Sequence, residues 1–372
     1  MVPVFSEGGG AQPVALLVLG PRRSEEPYND EDLELLAAIG REIGLLKTDS
    51  HSLAECGACG RCFDDGTHVC PEDHTALTSV PGSRLLNGRY RLERRLGRGG
   101  MGTVYEALDD VLERRVAVKV IREDRVGPLF NARFWTDLDS RFRHEARAAA
   151  GFAHPHVVRV YDFGVDRDRR AFLVMELLEG ETLRQRLESG VPFDNAPAVQ
   201  ILRGLCDALT TAHNHGLIHR DLKPENIFLQ RHEGGAAIAK VLDFGLAKAL
   251  AAEWPVATTG HGRESSAGLL IGTLDYMAPE QVAGDAASPD WDLWALSVIA
   301  FEMLTGRHPF RRTMTFPSST TGEHVGTAAV VQADGALSAA AAGFFEQALS
   351  SDRAKRPRSA AEFLARCDQV LT

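Results

Sequence analysis

The chain has 372 residues, 44% of them apolar, and carries 51 acidic against 41 basic side chains for a formal net charge of −10. That length suits one large domain plus something smaller, and the acidic excess argues against general affinity for nucleic acid or anionic lipid. The longest apolar stretches, Val14 to Leu19 and Leu293 to Phe301, fall far short of the roughly 18–20 residues needed to cross a bilayer, so no membrane anchor is expected. The first residues also lack a charged start, an apolar core and a small-residue cleavage site. A cytoplasmic location follows as the default expectation.

In residues 1–47 the run Pro13 to Leu19 reads as a strand, and Gly20-Pro21 as a turn. Asn29 or Asp30 can then cap a helix whose apolar residues Leu33, Leu35, Leu36, Ile39, Ile43 and Leu46 recur at helical spacing. The stretch Leu17 to Leu36 resembles the closing strand and last helix of a GAF sensor domain, which implies that the chain starts inside a former sensor. An amphipathic helix packing on a neighbour is the alternative.

Residues 48–82 hold four of the six cysteines, Cys56, Cys59, Cys62 and Cys70, and end in a Ser, Pro and Gly linker at Ser79 to Ser83. Cys206 and Cys367 stand alone in helical patterns, a poor layout for a disulfide framework. Cys56-Gly-Ala-Cys59 has the spacing of a zinc knuckle, and Cys70 is a third good candidate. Cys62, His74 and His68 compete for the fourth place, and unliganded thiols in a linker are the alternative. The cluster resembles small zinc-ribbon-like segments, with a structural zinc ion implied.

Residues 83–372 form one block: alternating apolar residues and glycines over Tyr90 to Val120, then mainly helical patterning from Glu181 onward. A small sheet-rich part followed by a larger helical part predicts a cleft between two lobes. Gly97, Gly99 and Gly102 have the G-x-G-x-x-G spacing between two strand-like runs, where backbone amides can close over phosphates. In Val116-Ala-Val-Lys119 the lysine sits among apolar residues and calls for an anionic partner, which Glu145 on the next helical pattern can supply. His219-Arg-Asp-Leu-Lys-Pro-Glu-Asn226 concentrates polar groups on one loop. There Asp221 is placed to accept a hydroxyl proton, Lys223 to neutralise a migrating phosphoryl group, and Asn226 to bind a metal ion. Lys240 to Gly245 ends a strand with Asp243, a second magnesium ligand.

These motifs, with Ala278-Pro-Glu280 after them, stand in the order of the protein kinase family. The chain resembles that family over about residues 88–370, and its wording is similar to bacterial members of the serine/threonine branch. The resemblance implies an α+β, bilobal kinase fold with a β-rich N-lobe (about 88–178) and a mainly helical C-lobe (about 179–370). It implies ATP with magnesium or manganese as cofactors, protein serine or threonine hydroxyls as substrates, autophosphorylation, and a homodimer as a candidate assembly. An ATP-binding pseudokinase scaffold is the rival class, disfavoured because no group for nucleotide, metal or proton transfer is missing.

By the same resemblance Met175 is the gatekeeper, and Glu176 and Leu178 offer hinge backbone groups to adenine. Leu96, Val104, Ala117 and Phe228 line the adenine pocket. Asp292 braces the catalytic loop, Arg356 pairs with Glu280, and phosphorylation at Thr258 or Thr259, sensed by Arg220, switches activity.

Overall fold

The computed structural model describes residues 2–4, 15–17, 52–99, 102–121, 153–168, 170–232, 235, 237–244, 275–310 and 337–371, the first two segments as backbone only. The helix expected between Asp30 and Leu46, Glu145, Thr258, Thr259 and the stretch 311–336 lie outside the described residues. The chain divides into two compact units, Met1–Arg125 with Gly164–Phe172, and Val126–Phe163 with Leu173–Thr372.

In the first unit β1 (Val2–Val4) pairs antiparallel with β2 (Ala15–Leu17). The cysteine zone folds as a three-stranded sheet in which β3 (Ser52–Cys56) lies between β4 (Cys62–Phe63) and β5 (Leu77–Pro81). The expected linker is therefore largely a strand. The turn after β5 is pinned as well: the Arg170 guanidinium donates to the carbonyls of Pro81 and Ser83, and the Ser83 amide donates to Asp168. Gly82, at φ 102°, leaves the space this requires, since a Cβ there would sit 2.0 Å from the guanidinium carbon.

The main sheet has six strands in the order β10 (Val160–Val165), β11 (Ala171–Met175), β9 (Arg114–Ile121), β8 (Gly102–Asp109), β7 (Tyr90–Arg98), β6 (Leu85–Leu86). Its alternation follows from the sequence, with Leu92, Tyr105, Val116 and Val118 buried on one face as period-two patterning demands. Register shifts between Leu92 and Arg94, and between Arg95 and Gly97, bend β7, and such bulges re-aim the side chains beside them. Leu96 falls in the second bulge and is 45% exposed.

The second unit is built around α4 (Pro289–Thr305), which is buried almost all round from Asp292 to Thr305. Such a helix belongs at the centre of a core. It starts with Pro289 in the first turn and stops at Gly306, whose φ of 69° is the left-handed C-terminal conformation that glycine adopts without strain. α2 (Asn195–Asn214) turns Ala198, Leu202, Leu205 and Leu209 inward, and α5 (Ala339–Ala348) and α6 (Ala360–Leu371) add Phe345 and Phe363. Cys206 and Cys367 are apolar filler in this core, 1% and 0% exposed. The short β12 (Gly180–Thr182), β13 (Ile227–Gln230) and β14 (Ile238–Val241) form a second three-stranded sheet. α1 (Leu183–Leu187) follows β12 with a Thr182 and Gln185 capping box, and α3 (Pro279–Val282) precedes α4.

Candidate active site and thiol cluster

The loop His219 to Asn226 owes its shape to one buried carboxylate. Asp292, 1% exposed in the first turn of α4, accepts the amides of His219 and Arg220 at 2.9 Å each, and His213 Nε2 at 2.8 Å. The helix N-terminus also favours negative charge there. His219 Nδ1 accepts the Asp221 amide at 3.3 Å while Nε2 lies 2.9 Å from the Leu242 carbonyl, which fits one neutral tautomer with the proton on Nε2. The ring packs edge-on against Phe244 at 4.9 Å. Arg220 and Asp243 take left-handed φ values of 68° and 58°, conformations that cost energy for side chains other than glycine and cluster at functional sites.

On this frame Lys223 Nζ donates to both Asp221 oxygens, at 2.9 and 2.8 Å. Asn226 Nδ2 donates to the Asp221 carbonyl at 2.8 Å and to Oδ2 at 3.2 Å, which directs the amide oxygen of Asn226 away from Asp221. Pro224–Asn226 is a single 3-10 turn that carries the chain into β13, and the Leu242 amide bonds the Asn226 carbonyl, which ties the loop to the Asp243 segment. Asp221, Lys223 and Asn226 are thus brought together. Asp292→Asn is expected to turn an amide NH2 toward one of three donors and to destabilise the second unit by about 1–3 kcal/mol. Denaturant unfolding of the variant beside the wild type measures this.

In the first unit Val104, Ala117 and Lys119 share one face of β8 and β9, since Val104 pairs with Lys119 and Glu106 with Ala117. The three loop glycines differ in what they are for. A Cβ at Gly102 would lie 2.3 Å from the Val120 carbonyl oxygen, so packing demands glycine there. Among the described residues a Cβ at Gly97 meets nothing within 4 Å, and one at Gly99 only the Gly102 carbonyl at 4.0 Å, to which the Gly99 amide donates at 2.8 Å. Among the described residues no packing contact demands glycine at these two positions.

In the second unit Met175 is buried at the end of β11, and Phe228 on β13 is partly exposed. The Glu176 amide is occupied, donating to the Arg159 carbonyl at 2.9 Å. Its side chain is also occupied, accepting Lys240 Nζ at 2.7 Å and the Arg159 amide at 2.8 Å. Glu280 and Arg356 meet as expected in a bidentate pair at 2.8 and 3.1 Å.

The thiols assemble differently from the expectation. Cys56, Cys59, Cys70 and Asp73 bring three sulfurs and a carboxylate oxygen within 4.8 Å of one another. Cys62 and His74 are not in that group. Cys62 is buried with its Sγ 3.6 Å from the Gly60 carbonyl, and burial first, then the Glu55 carboxylate, pushes its thiol up to about 12. His74 takes a φ of 57° just past the group. Asp73 was missed because a lone acidic residue in a loop reads as solvated surface; the usable signal was its place three after Cys70, as Cys59 stands three after Cys56.

Two units carrying a bulged glycine hairpin and a buried, aspartate-braced catalytic-type loop define a kinase-like fold. The protein kinase domain model matches residues 90–366, and the chain belongs to the protein kinase domain family. Serine/threonine-protein kinase Pkn1 of Myxococcus xanthus is 43% identical over 223 residues, which cover 60% of this chain and 30% of Pkn1. Serine/threonine-protein kinase PknA of Mycobacterium tuberculosis is 40% identical over 231 residues, covering 60% of this chain and 48% of PknA. The chain thus spans less than half the length of these curated relatives. The crystal structure of Rad53 1-466 in complex with AMP-PNP is 23% identical, covers 76% of this chain and 66% of that chain, and superposes with a TM-score of 0.56, a likeness of fold.

Proposed function

We propose that this chain is an ATP-dependent serine/threonine protein kinase that phosphorylates protein hydroxyls, its own among them. The observation that carries the reading is the Asp221, Lys223 and Asn226 constellation held on a loop fixed by Asp292. Asp221 orients the substrate hydroxyl and takes its proton, and Lys223 places positive charge beside the developing phosphoryl charge. The backbone at Gly97, Gly99 and Gly102 gives the phosphates a surface without side chains, and Lys119 grips them, with Glu145 as its partner. Leu96, Val104, Ala117, Met175, Leu178 and Phe228 contact adenine, with the Glu176 carbonyl as an acceptor.

The side-chain oxygens of Asn226 and Asp243 are hard donors suited to magnesium or manganese, which when bound neutralises phosphate charge. Arg220 is the sensor for phosphate on the segment that contains Thr258 and Thr259; its Nε is buried with no hydrogen-bond partner among the described residues. The proposed setting is cytoplasmic signalling, and no helix among the described residues is long and apolar enough to cross a membrane. A structural zinc ion at the thiol cluster completes the cofactor set.

Incubation with labelled ATP and magnesium, with and without a generic protein substrate, followed by phosphosite mapping, tests the reading. Label is expected on serine and threonine. Lys119→Met is expected to lose most turnover through misplaced phosphates, and an unlabelled wild-type protein that still binds ATP would establish the scaffold reading instead.

A further inference from the structure

The segment from Cys56 to Ala76 contains the same small structure twice, fourteen residues apart. In the first copy the Cys56 amide donates to the Arg61 carbonyl at 2.9 Å, and the Gly60 amide donates back to the Cys56 carbonyl at 3.0 Å. In the second the Cys70 amide donates to the Thr75 carbonyl at 2.8 Å, and the His74 amide donates back to the Cys70 carbonyl at 3.0 Å. The residue that closes each turn is left-handed, Gly60 at φ 76° and His74 at φ 57°. The flanking pairs repeat as well: Glu55 faces Cys62 in one copy, and Val69 faces Ala76 in the other. In this frame Asp73 occupies the place of Cys59, His74 that of Gly60, and Cys62 that of Ala76.

Resting on the reading of the cluster as a zinc site, we infer that it is a duplicated knuckle in which Cys56, Cys59, Cys70 and Asp73 are the four ligands. Asp73 is the fourth, and neither Cys62 nor a histidine takes part. The spacings suit one tetrahedral ion. With zinc about 2.3 Å from sulfur and about 2.1 Å from a carboxylate oxygen, the edges are roughly 3.8 Å between sulfurs and 3.6 Å from sulfur to oxygen. The Cys59 and Cys70 sulfurs lie 3.7 Å apart, and Cys56 Sγ lies 3.4 and 3.3 Å from the two Asp73 oxygens. Thr75 donates its hydroxyl to Asp73 Oδ1 at 2.7 Å and also lies 3.1 Å from Cys56 Sγ. It fixes the carboxylate and leaves Oδ2 for the metal, as an outer partner does in metal sites. Cys56 and Cys70 are 0% exposed in a segment of about thirty residues, too small to fold on an apolar core alone.

The first knuckle is also joined to the main sheet. The Gly60 carbonyl accepts the Arg95 amide at 2.7 Å. Glu55, one residue before the first ligand and 3% exposed, pairs with the Arg95 guanidinium and accepts the Tyr105 hydroxyl at 3.2 Å. Arg95 and Tyr105 are paired across β7 and β8, one register step before the Val104–Lys119 pair and so on the opposite face. The ion therefore holds the structure that grips β7 just before Gly97.

The test uses the full chain, purified under reductant without chelator, with elemental analysis and cobalt spectroscopy. About one zinc per chain is expected. Cys62→Ser and His74→Gly are expected to keep it, and Asp73→Ala to weaken binding by more than the roughly 10- to 100-fold expected of Thr75→Val. Asp73→Cys keeps the fold and should raise the thiolate-to-cobalt band by about a third, from three sulfurs to four. Amide exchange at Arg95 should quicken in Asp73→Ala and not in Asp73→Cys. Metal-free protein, or a Cys59–Cys70 disulfide in its place, would overturn the zinc reading itself. Full affinity in Asp73→Ala, or metal loss in Cys62→Ser, would overturn the ligand assignment alone.

Discussion

Asp221→Asn is expected to slow phosphoryl transfer by about 10²–10⁴-fold, the range for loss of a positioned general base, while nucleotide binding stays close to that of the wild type. The variant is nearly isosteric, and two features of the site survive it. The backbone carbonyl of residue 221 still accepts Asn226 Nδ2, and the loop is still held through Asp292. What disappears is the carboxylate that Lys223 contacts through both oxygens, and with it the group able to take a proton. Steady-state rates with labelled ATP, alongside a fluorescent-nucleotide titration, separate the two effects. A rate within a few-fold of wild type would show that Asp221 is not the base. A parallel loss of nucleotide binding would show that the substitution disturbed the loop instead.

The second large effect concerns stability. Arg356→Met should destabilise the second unit by about 3–5 kcal/mol, the cost of leaving one member of a buried ion pair alone. Glu280 and Arg356 have side chains 5% and 4% exposed, and two hydrogen bonds join them. The guanidinium also donates to the Ser350 carbonyl and lies over Trp294, 4.6 Å from the ring centroid, so packing goes with the charge. Arg353, 3.6 Å from Glu280 but 44% exposed, is a weak substitute and places the effect toward the low end of that range. Amide exchange in α3 and α4 localises the loss. The double variant Glu280→Leu, Arg356→Met should recover most of it, because no buried charge is then left unpaired. A single variant as stable as the wild type would mean that the pair is not buried in solution.

Much of this protein was legible before any coordinates, and the reason is locality. Asp221, Lys223 and Asn226 lie within six residues on one loop, so their chemistry could be read as a group. The period-two patterning of Tyr90 to Val120 likewise announced a sheet whose strands follow one another. The Asp292 brace and the Glu280–Arg356 pair join residues more than seventy positions apart. No periodicity reveals such pairs, and only the family resemblance pointed to them.

Tertiary structure alone decided three further matters. Strand pairing turned the Ser79 to Ser83 linker into β5 and a pinned turn, because Arg170, nearly ninety positions away, supplies donors for its carbonyls. Burial of Glu55 against Arg95 and Tyr105 fastened the cysteine zone to the main sheet, a contact across forty to fifty residues that charge counting cannot see. Ligand spacing alone left Cys62, His68 and His74 level for the fourth metal position. The folded chain instead gathers Asp73 with the sulfurs of Cys56, Cys59 and Cys70, because the direction in which a turn points its side chains is a property of φ, ψ and closure rather than of residue type.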